Sequence, residues 1–117
     1  MKFDIEVLLK GSDDVVVETV SYEASEASAW TDDDVGEVLR LALRRFYKAQ
    51  NPDGDERAVS LRGLSWIVTP VKGGVAIALE IQSGAVVAGP FDAEADLLTQ
   101  EIGRVIGAAT SSGSLVH

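Results

Sequence analysis

A chain of 117 residues with no cysteine and a formal net charge of −9 has room for one hydrophobic core, and it excludes disulfides, thiol chemistry and cysteine-ligated zinc. Nineteen acids against ten bases argue against general nucleic-acid binding, which leaves a basic footprint, and against adsorption to anionic lipid. No apolar run reaches the ~20 residues that a membrane-spanning helix needs.

The opening MKFDIEVLLKG carries acids inside its apolar stretch and has no small-residue cleavage pattern, so it does not read as a signal peptide. With the missing cysteines this predicts a cytoplasmic protein. The charge is uneven. Residues 1–34 hold ten acids and two bases, residues 35–72 four acids and seven bases, and residues 73–117 five acids and one base. One acidic region and one basic element should result; the acidity favours solubility and permits attraction to a basic partner, although many soluble proteins are acidic with no special purpose.

In chain order, Phe3, Ile5, Val7 and Leu9 alternate with Lys2, Asp4, Glu6 and Lys10, which predicts a half-buried strand with Leu8 as its misfit. The turn signal Gly11-Ser12-Asp13-Asp14 leads to a second strand over Val15–Tyr22, and the two should form a hairpin with an acidic outer face. Glu23–Trp30 reads as a loop, with Trp30 as a hydrophobic staple. Thr31 is the expected N-cap of a helix over Asp32–Gln50, because Asp32, Asp33 and Asp34 then sit where backbone N–H groups are free. Val35, Val38, Leu39, Ala42, Phe46 and Ala49 form its apolar stripe. Asn51-Pro52-Asp53-Gly54 stops it.

From Val59 to Phe91 the sequence reads as three strands joined by turns at Lys72-Gly73-Gly74 and Ser83-Gly84. Tight turns put Leu64, Trp66 and Val68 on one face with Val75, Ile77, Leu79 and Ile81. The other face carries Leu61, Gly63, Ser65, Ile67 and Thr69 beside Ala76, Ala78, Glu80 and Gln82, with Val87 of the third strand. Pro90 predicts that this third strand, Val86–Ala88, lies at an edge or has already ended. Asp92 is the expected N-cap of a second helix over Ala93–Ala108, with Leu98, Ile102, Val105 and Ile106 inward. Gly103 and Gly107 either permit close packing or weaken that helix. Thr110–His117 reads as a flexible polar tail after a single domain over 1–109. The order β-β-α-β-β-β-α predicts an α+β fold, a mostly antiparallel sheet with both helices on one face.

Candidate chemistry is thin. The one histidine, His117, is the last residue, a poor base or metal ligand, which removes Ser–His and His-metal mechanisms together. Ser65 lacks the second glycine of a nucleophile elbow. Asn51–Glu56 places oxygens at alternate positions like a calcium loop, but its glycine comes two residues early and Arg62 stands where the bidentate acid belongs. No metal and no cofactor is therefore expected. Glu80, between Leu79 and Ile81, is the one candidate catalytic acid: burial would raise its pKa toward general acid–base work, whereas an outward-facing strand carboxylate is the commoner outcome. Arg40, Arg44, Arg45 and Lys48 could contact an anion, but bases toward a helix C-terminus also follow from the dipole, and they could pair with the acidic hairpin.

Two main readings follow, beside a third, nucleic-acid mimicry by the acidic hairpin, which needs carboxylates arrayed like phosphates. The first is a small acidic, non-enzymatic protein-binding or accessory module, an inhibitor or adaptor, that self-associates. Its interface would be Gly63, Ser65, Ile67, Ala76, Ala78 and Val87, a face of small and apolar groups that a homodimer could close. The alternative is a small enzyme or ligand-binding protein using Glu80 near the three-stranded meander. A pocket of several hundred Å³ around Glu80 favours the second, and a flat apolar face the first.

Overall fold

The computed structural model describes residues 1–23, 27–53, 59–62 and 64–114, the side chains of 28 and 110–114 excepted. The elements are β1 (Lys2–Leu9), β2 (Val15–Ser21), α1 (Asp32–Gln50), β3 (Ser65–Val71), β4 (Gly74–Ile81), β5 (Gly84–Phe91) and α2 (Ala95–Ser114), with a 3-10 turn at Ala27–Ala29. The strands form one antiparallel sheet in the order β2-β1-β5-β4-β3. This is the α+β fold read from the sequence, with both helices on one face.

Turn chemistry sets the register of the meander. Val71 pairs with Gly74 and Ile81 with Gly84, so each loop has two residues, Lys72-Gly73 and Gln82-Ser83. Gly73 takes the positive φ, +92°, that such a loop demands. As a result Trp66 and Val68 lie beside Leu79 and Ile77, and these lie beside Val86 and Ala88. Ile5 and Val7 of β1 continue the same rows. All but Trp66 and Val68 are fully buried, and those two pack on the core from its margin.

The position of β5 corrects the expectation drawn from Pro90. β5 is the central strand, paired with β1 on one side and β4 on the other. Pro90 is tolerated because its N–H is not needed. Pairing with β1 ends at Gly89, and the ladder to β4 skips from Ile77↔Ala88 to Val75↔Phe91. The extra residue of this bulge also changes parity. Phe91 therefore faces the core together with Ala88, with its ring 4.9 Å from Phe3 and 5.0 Å from Trp30.

α1 spans the residues expected of it. The Thr31 hydroxyl accepts the Asp34 N–H at 3.2 Å, and the Asp34 carboxylate accepts the Thr31 N–H at 3.0 Å, a reciprocal cap. Leu43 joins the stripe read from the sequence and is as buried as its neighbours. Phe46, fully buried, reaches down to Gly84, where the backbones of β5 and β1 are so close that a Cβ would run into the Leu8 carbonyl oxygen.

Three expectations need correction. Leu61 is not on the second face: it precedes β3 and tucks into the core at 3 % exposure, because an apolar side chain outside the ladder is free to turn inward. Asp92 is not the cap of α2, since the first helical bond runs from the Leu98 N–H to the Glu94 carbonyl. The helix also continues to Ser114, into the stretch read as a flexible tail. Once nucleated, a helix gains one hydrogen bond per added residue, and no proline interrupts it before 114. Gly103 and Gly107 are exposed; a Cβ at the first would make only ordinary contact with Trp66 and at the second would meet nothing, so neither glycine serves close packing.

Candidate functional site

The helices cover one face of the sheet and leave the other open. Register places the residues of that open face in rows. One row runs Val17–Glu6–Val87–Ala78–Ile67 across all five strands. The next runs Val15–Leu8–Ala85–Glu80–Ser65. Thr19 and Asp4 stand beside Gly89, and Ala76 beside Thr69, in a third row broken by the bulge.

Ser65, Ile67, Ala76, Ala78 and Val87 thus share one surface; Gly63 lies outside the described residues. Ala76 is buried by its neighbours, whereas Ile67 is 61 % exposed. Sequence reasoning missed how far the patch extends. Leu8, Val15 and Val17 carry it across β1 and β2, with the two valines at least half exposed. The available signal was Leu8 itself, the apolar residue that broke the alternation of its strand. Its meaning depends on pairing between β1 and β5, which no turn links.

Three carboxylates punctuate these rows: Asp4, Glu6 and Glu80. Asp4 accepts a hydrogen bond from the Thr19 hydroxyl at 2.6 Å. Glu80 is exposed and takes part in none of the ion pairs among the described residues. It borders a shallow, open depression of about 460 Å³ shared with Leu8, Lys10, Ile81 and Ala85. That depression is a trough on the sheet rather than an enclosed cavity. General acid–base catalysis works best with water excluded, and here the carboxylate stands in solvent.

The basic stripe of α1 is partly neutralised within the molecule. Arg45 Nη1 lies 3.5 Å from Glu18 Oε1 on β2, and Arg40 Nη1 lies 3.2 Å from Glu37 Oε1. Among the described residues Arg44 and Lys48 have no ion-pair partner. The calcium-like stretch 51–56 lies largely outside the described residues, as does His117. Among the described residues no group of three His, Cys, Asp or Glu could hold a metal, and no helix is long and apolar enough to cross a membrane.

The shifted titratable groups cluster at the start of α1, not on the open face. The Tyr22 hydroxyl donates to Asp34 Oδ1 at 3.0 Å. Burial, then this bond and the surrounding acids, push Tyr22 up to about 12. The Thr31 N–H, then Tyr22, hold Asp34 below the usual carboxylate range. Hydrogen bonds from Arg104 do the same for Asp32. Burial pushes the Glu101 carboxyl up, and among the described residues its Oε2 has no hydrogen-bond partner. These groups join α1 to β2 and α2, which is an architectural task.

Compared with family models, with curated proteins and with solved structures, the chain matches none.

Proposed function

We propose that this is a non-enzymatic protein-binding module, an accessory, adaptor or inhibitor protein, whose contact surface is the open face of the sheet. The observation that carries this reading is the row Val17–Glu6–Val87–Ala78–Ile67: four apolar side chains and one carboxylate, left uncovered across the full width of the sheet. Exposed apolar surface of this kind, here Val87–Ala78–Ile67 with Val17 beyond Glu6, marks contact sites. Small residues at its centre let a partner approach closely.

The charge on the face selects the partner. Asp4, Glu6 and Glu80 lie in these rows, while Lys2, beside Ser21, and Lys10, in the trough beside Glu80, flank them at the ends of β1, so the acids hold the middle of the face. Face-to-face closure of two copies, the simplest expectation from sequence, would oppose like charges on molecules of net charge −9. A basic protein surface meets the same face with complementary charge. The cysteine-free sequence supports a cytoplasmic setting. Catalysis through Glu80 is the lesser reading, because the trough beside it is open.

The test is affinity capture from the source cells with wild-type protein and with Ala78→Arg as baits. The expected result is a basic protein held by wild type at low salt, released at high salt and lost with Ala78→Arg. Exposed charges are screened over ~8 Å at physiological ionic strength, so a partner indifferent to salt and to Ala78→Arg overturns the reading.

A further inference from the structure

β2 is an edge strand, and among the described residues no strand pairs with its outer side. At its end, Met1 and Tyr22 exchange both backbone bonds, each at 2.9 Å. Pairs alternate in an antiparallel ladder, so Val20, Glu18 and Val16 direct their N–H and C=O groups to β1. The other side of β1 agrees: Lys10 donates to Ser83 at 2.8 Å, which gives the even residues of β1 to β5. The backbone groups of Val15, Val17, Thr19 and Ser21 therefore point away from the sheet.

Folded proteins ordinarily guard such an edge with a proline, a lysine, a bulge or a covering segment. The opposite edge, β3, carries Pro70. β2 reads VVVETVS, without proline or lysine, its ladder to β1 has no bulge, and no described strand lies along its outer side. Val15, Val16 and Val17 are 50 %, 47 % and 56 % exposed. Its one charge, Glu18, faces the helices and is met by Arg45.

We propose that this edge pairs with β2 of a second copy, antiparallel about a two-fold axis at Val17, joining two five-stranded sheets into one of ten strands. The register follows from charge and burial. An axis at Glu18 would set Glu18 directly against its own copy, which is repulsive. An axis at Thr19 would leave Val15 and Val16 uncovered. With the axis at Val17, Val15 faces Thr19, Val16 faces Glu18 and Val17 faces itself. Every exposed valine then gains a cross-strand neighbour, and the outward groups of Val15, Val17 and Thr19 are hydrogen-bonded. An identical strand supplies donors and acceptors in this register on both sides. The pairing also sets the two open faces side by side as one broader platform. It does not depend on what that platform binds.

The experiment is light scattering of wild type, Val17→Pro, Val17→Lys and Ala78→Arg over micromolar to millimolar concentration, at low and high salt, with amide hydrogen exchange on the dimer. Val17→Pro removes only an outward N–H, which an edge strand tolerates, and Val17→Lys places a charge at the axis. Wild type and Ala78→Arg should dimerise, more strongly as salt screens the like-charged copies. Both Val17 variants should be monomers with a retained thermal transition. The amides of Val15, Val17 and Thr19 should be protected in the dimer alone. A wild-type monomer throughout overturns the proposal. So does a dimer that both Val17 variants leave intact, and one lost only in Ala78→Arg would assign self-association to the open face instead.

Discussion

Arg104 reaches from α2 to grip Asp32 at the first turn of α1, with Nη2 2.7 Å from Oδ1 and Nε 3.0 Å from Oδ2. The two helices meet nearby, where Gly36 faces Val105. The fork–carboxylate geometry ties the dipole-positive end of α1 to its neighbour. Both side chains are more than half exposed, so the pair orients the helices more than it stabilises them.

That pair fixes an expectation for acid. Asp32 and Asp34 are held below the usual carboxylate range in the folded protein. Depressed carboxylates contribute stability above their unfolded pKa and lose it as pH falls through the folded one. Arg104→Gln should therefore lower Tm at neutral pH, and the difference from wild type should vanish in strong acid. Melting curves across the acid range test this; a difference independent of pH would show that Arg104 acts by packing alone.

Tyr22 gives the opposite limb. Its folded pKa is raised to about 12, so the protein holds this proton more tightly than the unfolded chain does. The stability it contributes is complete below pH ~10, the unfolded value, and is lost as pH rises toward 12. Tyrosinate absorbance of wild type minus Tyr22→Phe should show a step near 12; a step near the free phenol value would mean that the Asp34 contact does not persist in solution.

Phe46 is fully buried between α1 and the sheet. Phe46→Ala should cost ~3–5 kcal/mol, the range for a truncated core aromatic. Denaturant unfolding measures it, and a loss under ~1 kcal/mol would mean that α1 packs on the sheet by another face.

Two glycines should answer alanine in opposite directions. Gly107 is exposed in α2 with open space where a Cβ would go, so Gly107→Ala should stabilise by ~0.5–1 kcal/mol. Gly84 sits at φ +153° with the Leu8 carbonyl in the way, so Gly84→Ala should destabilise by at least ~2 kcal/mol, among the larger effects of point substitutions. Equal responses at the two sites would contradict the close approach of β5 to β1.

Much of this was legible in the sequence because local rules carried it. Thr31 and the three aspartates marked the start of α1, and the glycine turns fixed which residues of β3, β4 and β5 share a face. What escaped depended on contacts distant in sequence. Pro90 argued for an edge, and only the pairing of β1 with β5 shows that its missing N–H falls beyond the ladder. Arg104 met Asp32 across seventy-two positions, with no spacing to announce it. The open face was half visible, since its β3–β5 portion follows from turns and its β1–β2 portion does not.

The central place of β5 bears on how the chain reaches this structure. Two hairpin units, β1–β2 and β3–β4, have no ladder between them except through β5. Joining β1 to β5 brings Asp4 beside Gly89 and Leu8 beside Ala85, a closure of roughly eighty residues, and long closures slow folding. Until β5 arrives, the first hairpin is a two-stranded ribbon with an apolar side and no covering, which is marginal in water. The β1–β2 hairpin should therefore acquire protection from hydrogen exchange late, in one step with β5, rather than in the order of synthesis. A chain ending before Gly84 should hold neither hairpin in a stable sheet.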